Sequence, residues 1–284
     1  MRLTMSPWST SSIASGCGAV QIRAMFRPSK ILAKLRSGKV ARICSTGSPL
    51  IYWPHLAANF GYDGVWVDAE HRAWDALEAR EMILRHHLAE IDCIFRPATS
   101  ERAGLSRMLE DGAAGLMIPL VNTPERARHL VEATKFPPIG ERGMDGSGLD
   151  GTFWLGRTPE YPQEANRETL LILQIETPLA LENVEAIAAV DGVDVLFIGP
   201  GDLSLRLGCQ PSFDEPKYRA AVARVAEVCR NARKPWGLPV GAIEDARTAV
   251  GMGAQVLNFG GEFQAVWKEL EACSKKLDEL LGDD

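Results

Sequence analysis

Three observations predict a single (β/α)8 barrel of the TIM type. Eight short apolar runs alternate with amphipathic stretches over roughly 250 residues. The chain, at 284 residues with 46% hydrophobic and 24% charged, can bury one full core. Polar residues able to do chemistry gather where the apolar runs end rather than inside them, as the C-terminal face of such a barrel requires.

The elements follow in order. Residues 1–28 are rich in Ser, Thr and small side chains and lack the continuous apolar core of a secretory signal. They read as a disordered N-terminal extension, or as translation begun upstream of a natural start near Met25. Residues 29–284 read as the single barrel domain. Strands are expected at 41–46, 64–70, 92–96, 115–120, 170–176, 194–199, 236–240 and 255–260, each a short apolar run. Helices fall between them: 74–88, whose apolar residues include Trp74, Leu77, Met82 and Leu84, 124–134 after the Thr123-Pro124 start, 178–189 and 215–232. The long gap from 120 to 170 holds a Gly-rich stretch, 140–148, too long for a simple connection and so a candidate active-site or interface loop. Its glycines make no dinucleotide fingerprint, because no strand leads directly into them. An amphipathic segment, 262–281, ends the chain.

Composition excludes several classes. A net charge of −6 offers no basic surface for nucleic acid, and no run of eighteen apolar residues can span a membrane. The six cysteines are dispersed with no Cys-x-x-Cys pair, which suits a reducing cytoplasm better than a disulfide framework or a zinc site.

At the strand ends, Gln174-Ile175-Glu176 closes the fifth run and Gly199-Pro200-Gly201-Asp202 follows the sixth. Strand alternation puts Gln174 and Glu176 on one side, so two carboxylates and an amide converge on a mouth that can hold a hard divalent cation. Taken singly, either acid could instead cap the following helix. The second run ends Asp68-Ala69-Glu70-His71 and the third Arg96-Pro97. His71 can move a proton near neutral pH, with Asp68 and Glu70 as orienting partners, and Arg96 can grip a carboxylate or an enolate oxygen. The bland alternatives are a packed histidine and a structural Arg96 bridge, and Glu70 has no separate job. His55, His86, His87 and His129 fall in helical stretches. Trp53, Trp66, Trp74 and Trp154 read as packing rather than recognition.

Residues 61–71, Arg96-Pro97, 112–119, Gly140-Glu-Arg-Gly143, Gln174-Ile-Glu176 and 197–203, in matching order and spacing, resemble the pyruvate-dependent class II aldolases of the HpcH/HpaI family. That family includes 4-hydroxy-2-oxoheptanedioate aldolase and 2-dehydro-3-deoxyglucarate aldolase. The resemblance implies a barrel of the phosphoenolpyruvate/pyruvate type and a metal-dependent aldehyde-lyase that divides a 4-hydroxy-2-oxo acid into pyruvate and an aldehyde through a metal-stabilised enolate. By matching position it implies Glu176 and Asp202 as ligands of Mg2+ or Mn2+, with Co2+ a further candidate. Gln174, Gly201, Asp202 and Arg96 lie beside the oxo acid, and His71 is the general base with Asp68 behind it. Glu110 stands where the family often has an Asp supporting the histidine, and with Arg142 it is a candidate outer contact. By analogy the last helix is exchanged between partners of a dimer-based oligomer, up to a hexamer. Near the last strand, Gly260-Gly261-Glu262-Phe263 departs from the usual Gly-x-Asp.

No lysine falls at a strand end, so a metal route is favoured over a Schiff base. Two alternatives stay open: a different metal–enolate lyase acting on a citramalate-like or acyl-CoA substrate, and a non-catalytic binder of 2-oxo acids.

Overall fold

A computed structural model describes residues 27–155 and 158–282. The expectation for residues 1–28 lies, as far as residue 26, outside them. Eight parallel strands close into a barrel in sequence order: β1 (Ala41–Thr46), β2 (Gly64–Asp68), β3 (Asp92–Arg96), β4 (Gly115–Ile118), β5 (Leu170–Ile175), β6 (Val195–Ile198), β7 (Trp236–Pro239) and β8 (Val256–Gly261). The barrel closes where Ala41 pairs in register with Val256.

Strand alternation builds two cores. Ile43, Ile94, Met117, Ile172, Val195, Phe197 and Val256 fill the interior, while Val65, Phe95, Leu116, Leu171, Leu173 and Leu196 face the helices. The interior is closed from below by α1 (Lys30–Arg36), which inserts Ile31 and Leu32 into the inner cluster. Ser29 caps that helix and donates from Oγ to the buried Asp92 Oδ2 at 2.6 Å.

The outer ring comprises α2 (Trp53–Asn59), α3 (Ala76–Leu88), α4 (Arg102–Glu110), α5 (Pro124–Thr134), α6 (Tyr161–Glu168), α7 (Pro178–Glu182), α8 (Val184–Ala188), α9 (Pro200–Leu207), α10 (Pro216–Ala232) and α11 (Ile243–Gly251). α12 (Glu262–Leu281) follows the last strand. The first expected helix begins two residues late because Asp75 and Glu78 form a reciprocal capping box. The single helix expected over 178–189 is divided at Asn183, whose side chain donates to the Asn122 carbonyl at 2.9 Å.

The Gly-rich loop belongs to the opposite end of the barrel from the strand ends that carry chemistry. It lies between α5 and α6, on the path from the helix after β4 to the start of β5, and so at the N-terminal face. Asp150 holds it there: its N–H donates to the Glu110 carbonyl at 3.3 Å, and its Oδ2 accepts from Arg142 Nη2 and the Tyr161 hydroxyl, each at 2.6 Å. Within one chain it is therefore not an active-site loop. No helix among the described residues is long and apolar enough to cross a membrane.

Candidate active site

The ends of β2, β3, β5 and β6 and the loops that follow them carry seven of the expected residues: Asp68, His71, Arg96, Gln174, Glu176, Gly201 and Asp202. Arg96 is the pivot of the mouth and is 6% exposed. Its Nε donates to Asp68 Oδ1 at 2.9 Å, and Nη2 lies 2.9 Å from Asp68 Oδ2. Nη1 donates to Gln174 Oε1 at 3.1 Å and lies 2.9 Å from Glu70 Oε2. The guanidinium rests on the Trp66 ring, 4.6 Å from its centroid, so this tryptophan packs and also holds a cation. Trp74 Nε1 donates to the Asp68 carbonyl at 2.8 Å, which steadies the end of β2.

The fork fixes Asp68 to Arg96. Burial acts to raise the Asp68 pKa, but the hydrogen bond and charge of Arg96 outweigh it and hold the carboxyl below its ordinary value. The acid nearest His71 is instead Glu70, whose Oε2 is 3.6 Å from His71 Nε2. Asp68 is thus committed to the arginine by direct contact, while the charge of His71 also reaches it and helps to lower its pKa. The reason is geometric: Asp68 ends β2 directly beside Arg96, its register partner on β3.

Glu176 is buried just beyond β5. Its Oε1 accepts the Leu120 N–H at 2.7 Å. Leu120 adopts a left-handed backbone, φ +54°, immediately past β4, and this strained turn aims the donor into the mouth. Gly199 gives Oε2 its space, since a Cβ there would fall 2.0 Å from that oxygen. Burial pushes the Glu176 pKa up to about 7; the charges of Asp202 and Glu70 add to the rise, while Leu120 N–H and Arg96 oppose it. Asp202 lies in the first turn of α9, is half-exposed, and pairs with Arg206 one turn later. Gly201 precedes it, with nothing within 4 Å of where its Cβ would be.

Among the described residues no three His, Cys, Asp or Glu side chains form a ready metal cage, so a cation here rests on two carboxylates. The donor set fits a hard cation: burial and the charge of Asp202 raise the Glu176 pKa, and a divalent ion between the two carboxylates would favour their ionised forms.

Glu110 and Arg142 do not join this mouth within one chain. Glu110 ends α4 at the N-terminal face, and Arg142 is committed to Asp150 and to the Phe136 ring. Burial pushes the Glu110 carboxyl up, with Arg142 opposing. Glu262, which departs from the resembled pattern, is buried and accepts the Gly47 N–H at 2.9 Å, tying the end of β8 to that of β1.

Comparison with known proteins decides the family. Residues 54–267 match the HpcH/HpaI aldolase/citrate lyase model. The chain belongs to that family. It is 35% identical over 236 residues to a 2-keto-3-deoxy-L-rhamnonate aldolase of Klebsiella pneumoniae, covering 81% of this chain and 84% of that protein. A protein of the same description from Salmonella typhimurium is 34% identical, with 87% and 90% covered. An HpcH/HpaI aldolase structure from Desulfitobacterium hafniense superposes with a TM-score of 0.82 at 30% identity, covering 90% of this chain and 98% of that one. This HpcH/HpaI chain is a carbon–carbon lyase, and its fold is the family's barrel.

Proposed function

We propose that the protein is a divalent-metal-dependent aldolase that cleaves, or in reverse forms, the C3–C4 bond of a 4-hydroxy-2-oxo acid, giving pyruvate and an aldehyde. The names of the similar aldolases favour a 2-keto-3-deoxy sugar acid as the substrate class. Glu176 carries this reading: a buried carboxylate at the barrel mouth whose pKa burial pushes up to about 7, with the charge of the neighbouring Asp202 adding to the rise. Glu176 and Asp202 would hold Mg2+ or Mn2+, with Co2+ a further candidate, and the ion would supply Lewis acidity toward negative charge on the keto oxygen.

The side chains do the rest. Arg96, held flat by Asp68 and Trp66, presents a planar donor edge to the acid, and Gln174 flanks it. Gly201, without a side chain, leaves room for the acid to reach the first turn of α9. His71, more than half exposed at the rim, takes the proton of the 4-hydroxyl. As that O–H bond breaks, the oxygen forms the aldehyde carbonyl and the electron pair of the C3–C4 bond passes to C3 and the keto oxygen. A proton returned to C3 completes the pyruvate methyl group.

The partner is a second copy. On α12 only Glu262 is buried, while Phe263, Val266, Trp267, Leu270 and Leu277 are exposed along one helical stripe. The barrel wall beside β8 correspondingly leaves a groove of about 350 Å³ lined by Phe60, Tyr62, Ile243, Leu257 and Phe259. An apolar helix without cover and an apolar groove without a helix favour exchange of α12 in a dimer-based oligomer, up to a hexamer. A cytoplasmic setting accords with the dispersed free cysteines.

The test is pyruvate release from 2-keto-3-deoxy-L-rhamnonate and related 2-keto-3-deoxy acids. Turnover should stop on chelation and return with Mg2+ or Mn2+. Full turnover of metal-stripped protein would overturn the metal-dependent reading.

A further inference from the structure

Glu70 takes no part in the reaction drawn above, yet one of its oxygens stands between the arginine that grips the acid and the base. Glu70 Oε2 is 2.9 Å from Arg96 Nη1 and 3.6 Å from His71 Nε2. Side-chain exposure rises across the three, from 7% for Arg96 to 22% for Glu70 and 55% for His71. Asp68 holds Nε and Nη2 of the arginine and Gln174 holds Nη1, so Glu70 is the partner nearest solvent. Of the three partners, Glu70 is the most exposed and the one an arriving anion can replace on Arg96. The Glu70 N–H donates to Asp68 Oδ1 at 3.0 Å, which pins the main chain and leaves the carboxylate as the part that can turn.

We infer that Glu70 is a positioning residue coupling occupancy of the oxo-acid pocket to His71. The arriving acid takes the place of Glu70 on Nη1, and the displaced carboxylate closes the 3.6 Å gap to His71 Nε2. There it orients the ring and stabilises the imidazolium that forms when the ring takes the hydroxyl proton. Glu70 makes no bond to the substrate. The base is thus completed only when the acid is bound. This inference rests on the roles given above to Arg96 and His71.

Glu70→Gln and Glu70→Asp test it, with Mn2+-dependent pyruvate affinity measured by calorimetry alongside turnover. Gln weakens the competing contact on Nη1, and Asp withdraws it by one methylene. Both variants should bind pyruvate about threefold or more tightly than the parent, because a competitor is removed. Over the same pair kcat should fall, by about tenfold or more for Gln and by less for Asp, which keeps a charge near His71. Binding and turnover therefore move in opposite directions. A residue that merely braces the mouth would weaken both together, and that result overturns the inference, as does normal kcat in the Gln variant. Failure of the parent protein to bind pyruvate with any divalent metal would be recognisably different, because it removes the functional reading on which Glu70 depends.

Discussion

Replacing Glu176 by Gln in chelated, metal-free protein isolates the stability carried by one carboxyl. In the unfolded chain that group titrates near 4.5, and in the fold at about 7. Below 4.5 it is protonated in both states, and the folded environment is not penalised. Between 4.5 and about 7 the unfolded chain ionises while the folded site resists, so stability falls as pH rises, and above about 7 the loss is complete. At about 1.4 kcal/mol per pH unit, this span corresponds to a loss on the order of 3 kcal/mol. Gln cannot ionise, but its oxygen can still accept the Leu120 N–H. Urea unfolding in chelator should therefore find Glu176→Gln equal to the parent near pH 4.5 and more stable by about 2–3 kcal/mol at pH 8. Added Mn2+ should stabilise the parent at pH 8 and leave the variant unmoved. A metal-free variant less stable than the parent at pH 8 would refute both the raised pKa of Glu176 and the cation site built on it.

Three further substitutions test other parts of the account. Arg96→Lys keeps the charge but loses the planar fork shared with Asp68 and Gln174, so kcat/KM should fall by about 2 kcal/mol, roughly thirtyfold; near-normal kinetics would make Arg96 a structural bridge. Gly199→Ala puts a Cβ 2.0 Å from Glu176 Oε2, so Mn2+ affinity measured by calorimetry should drop by about tenfold or more while cooperative unfolding persists; unchanged affinity would free Glu176 from the metal. Trp267→Glu sets a charge in the exposed stripe of α12, and sedimentation should show smaller species than the parent; the same assembly in both would remove α12 from the interface.

The strands were legible because each is a short apolar run whose alternation separates inner from outer core, as in Leu170–Ile175. The site followed from the strand ends, since chain order around a parallel barrel already sets β2 beside β3 and β5 beside β6. What escaped depends on backbone detail and on choices among close partners. Nothing in Leu120 itself signals a left-handed turn that delivers an N–H to Glu176. Nothing in the Gly199-Pro200-Gly201 run says that the first glycine makes room for Glu176. That Arg96 takes both Asp68 and Glu70, with Glu70 also the acid nearest His71, is set by register and reach rather than by residue type. The end of the barrel holding the Gly-rich loop was knowable: a segment entering a strand from a helix lies at the N-terminal face, and with it go Arg142 and Glu110.

Proton NMR of pyruvate in deuterated buffer tests the central claim without knowledge of the aldehyde. If the mouth formed by Arg96, Gln174, Glu176 and Asp202 stabilises the carbanionic form of pyruvate, the protein with Mg2+ or Mn2+ should exchange the methyl protons for deuterium above the uncatalysed rate. Chelation should stop the exchange, and so should Glu176→Gln. Absence of exchange with every divalent metal, in protein shown to bind pyruvate, would contradict the account.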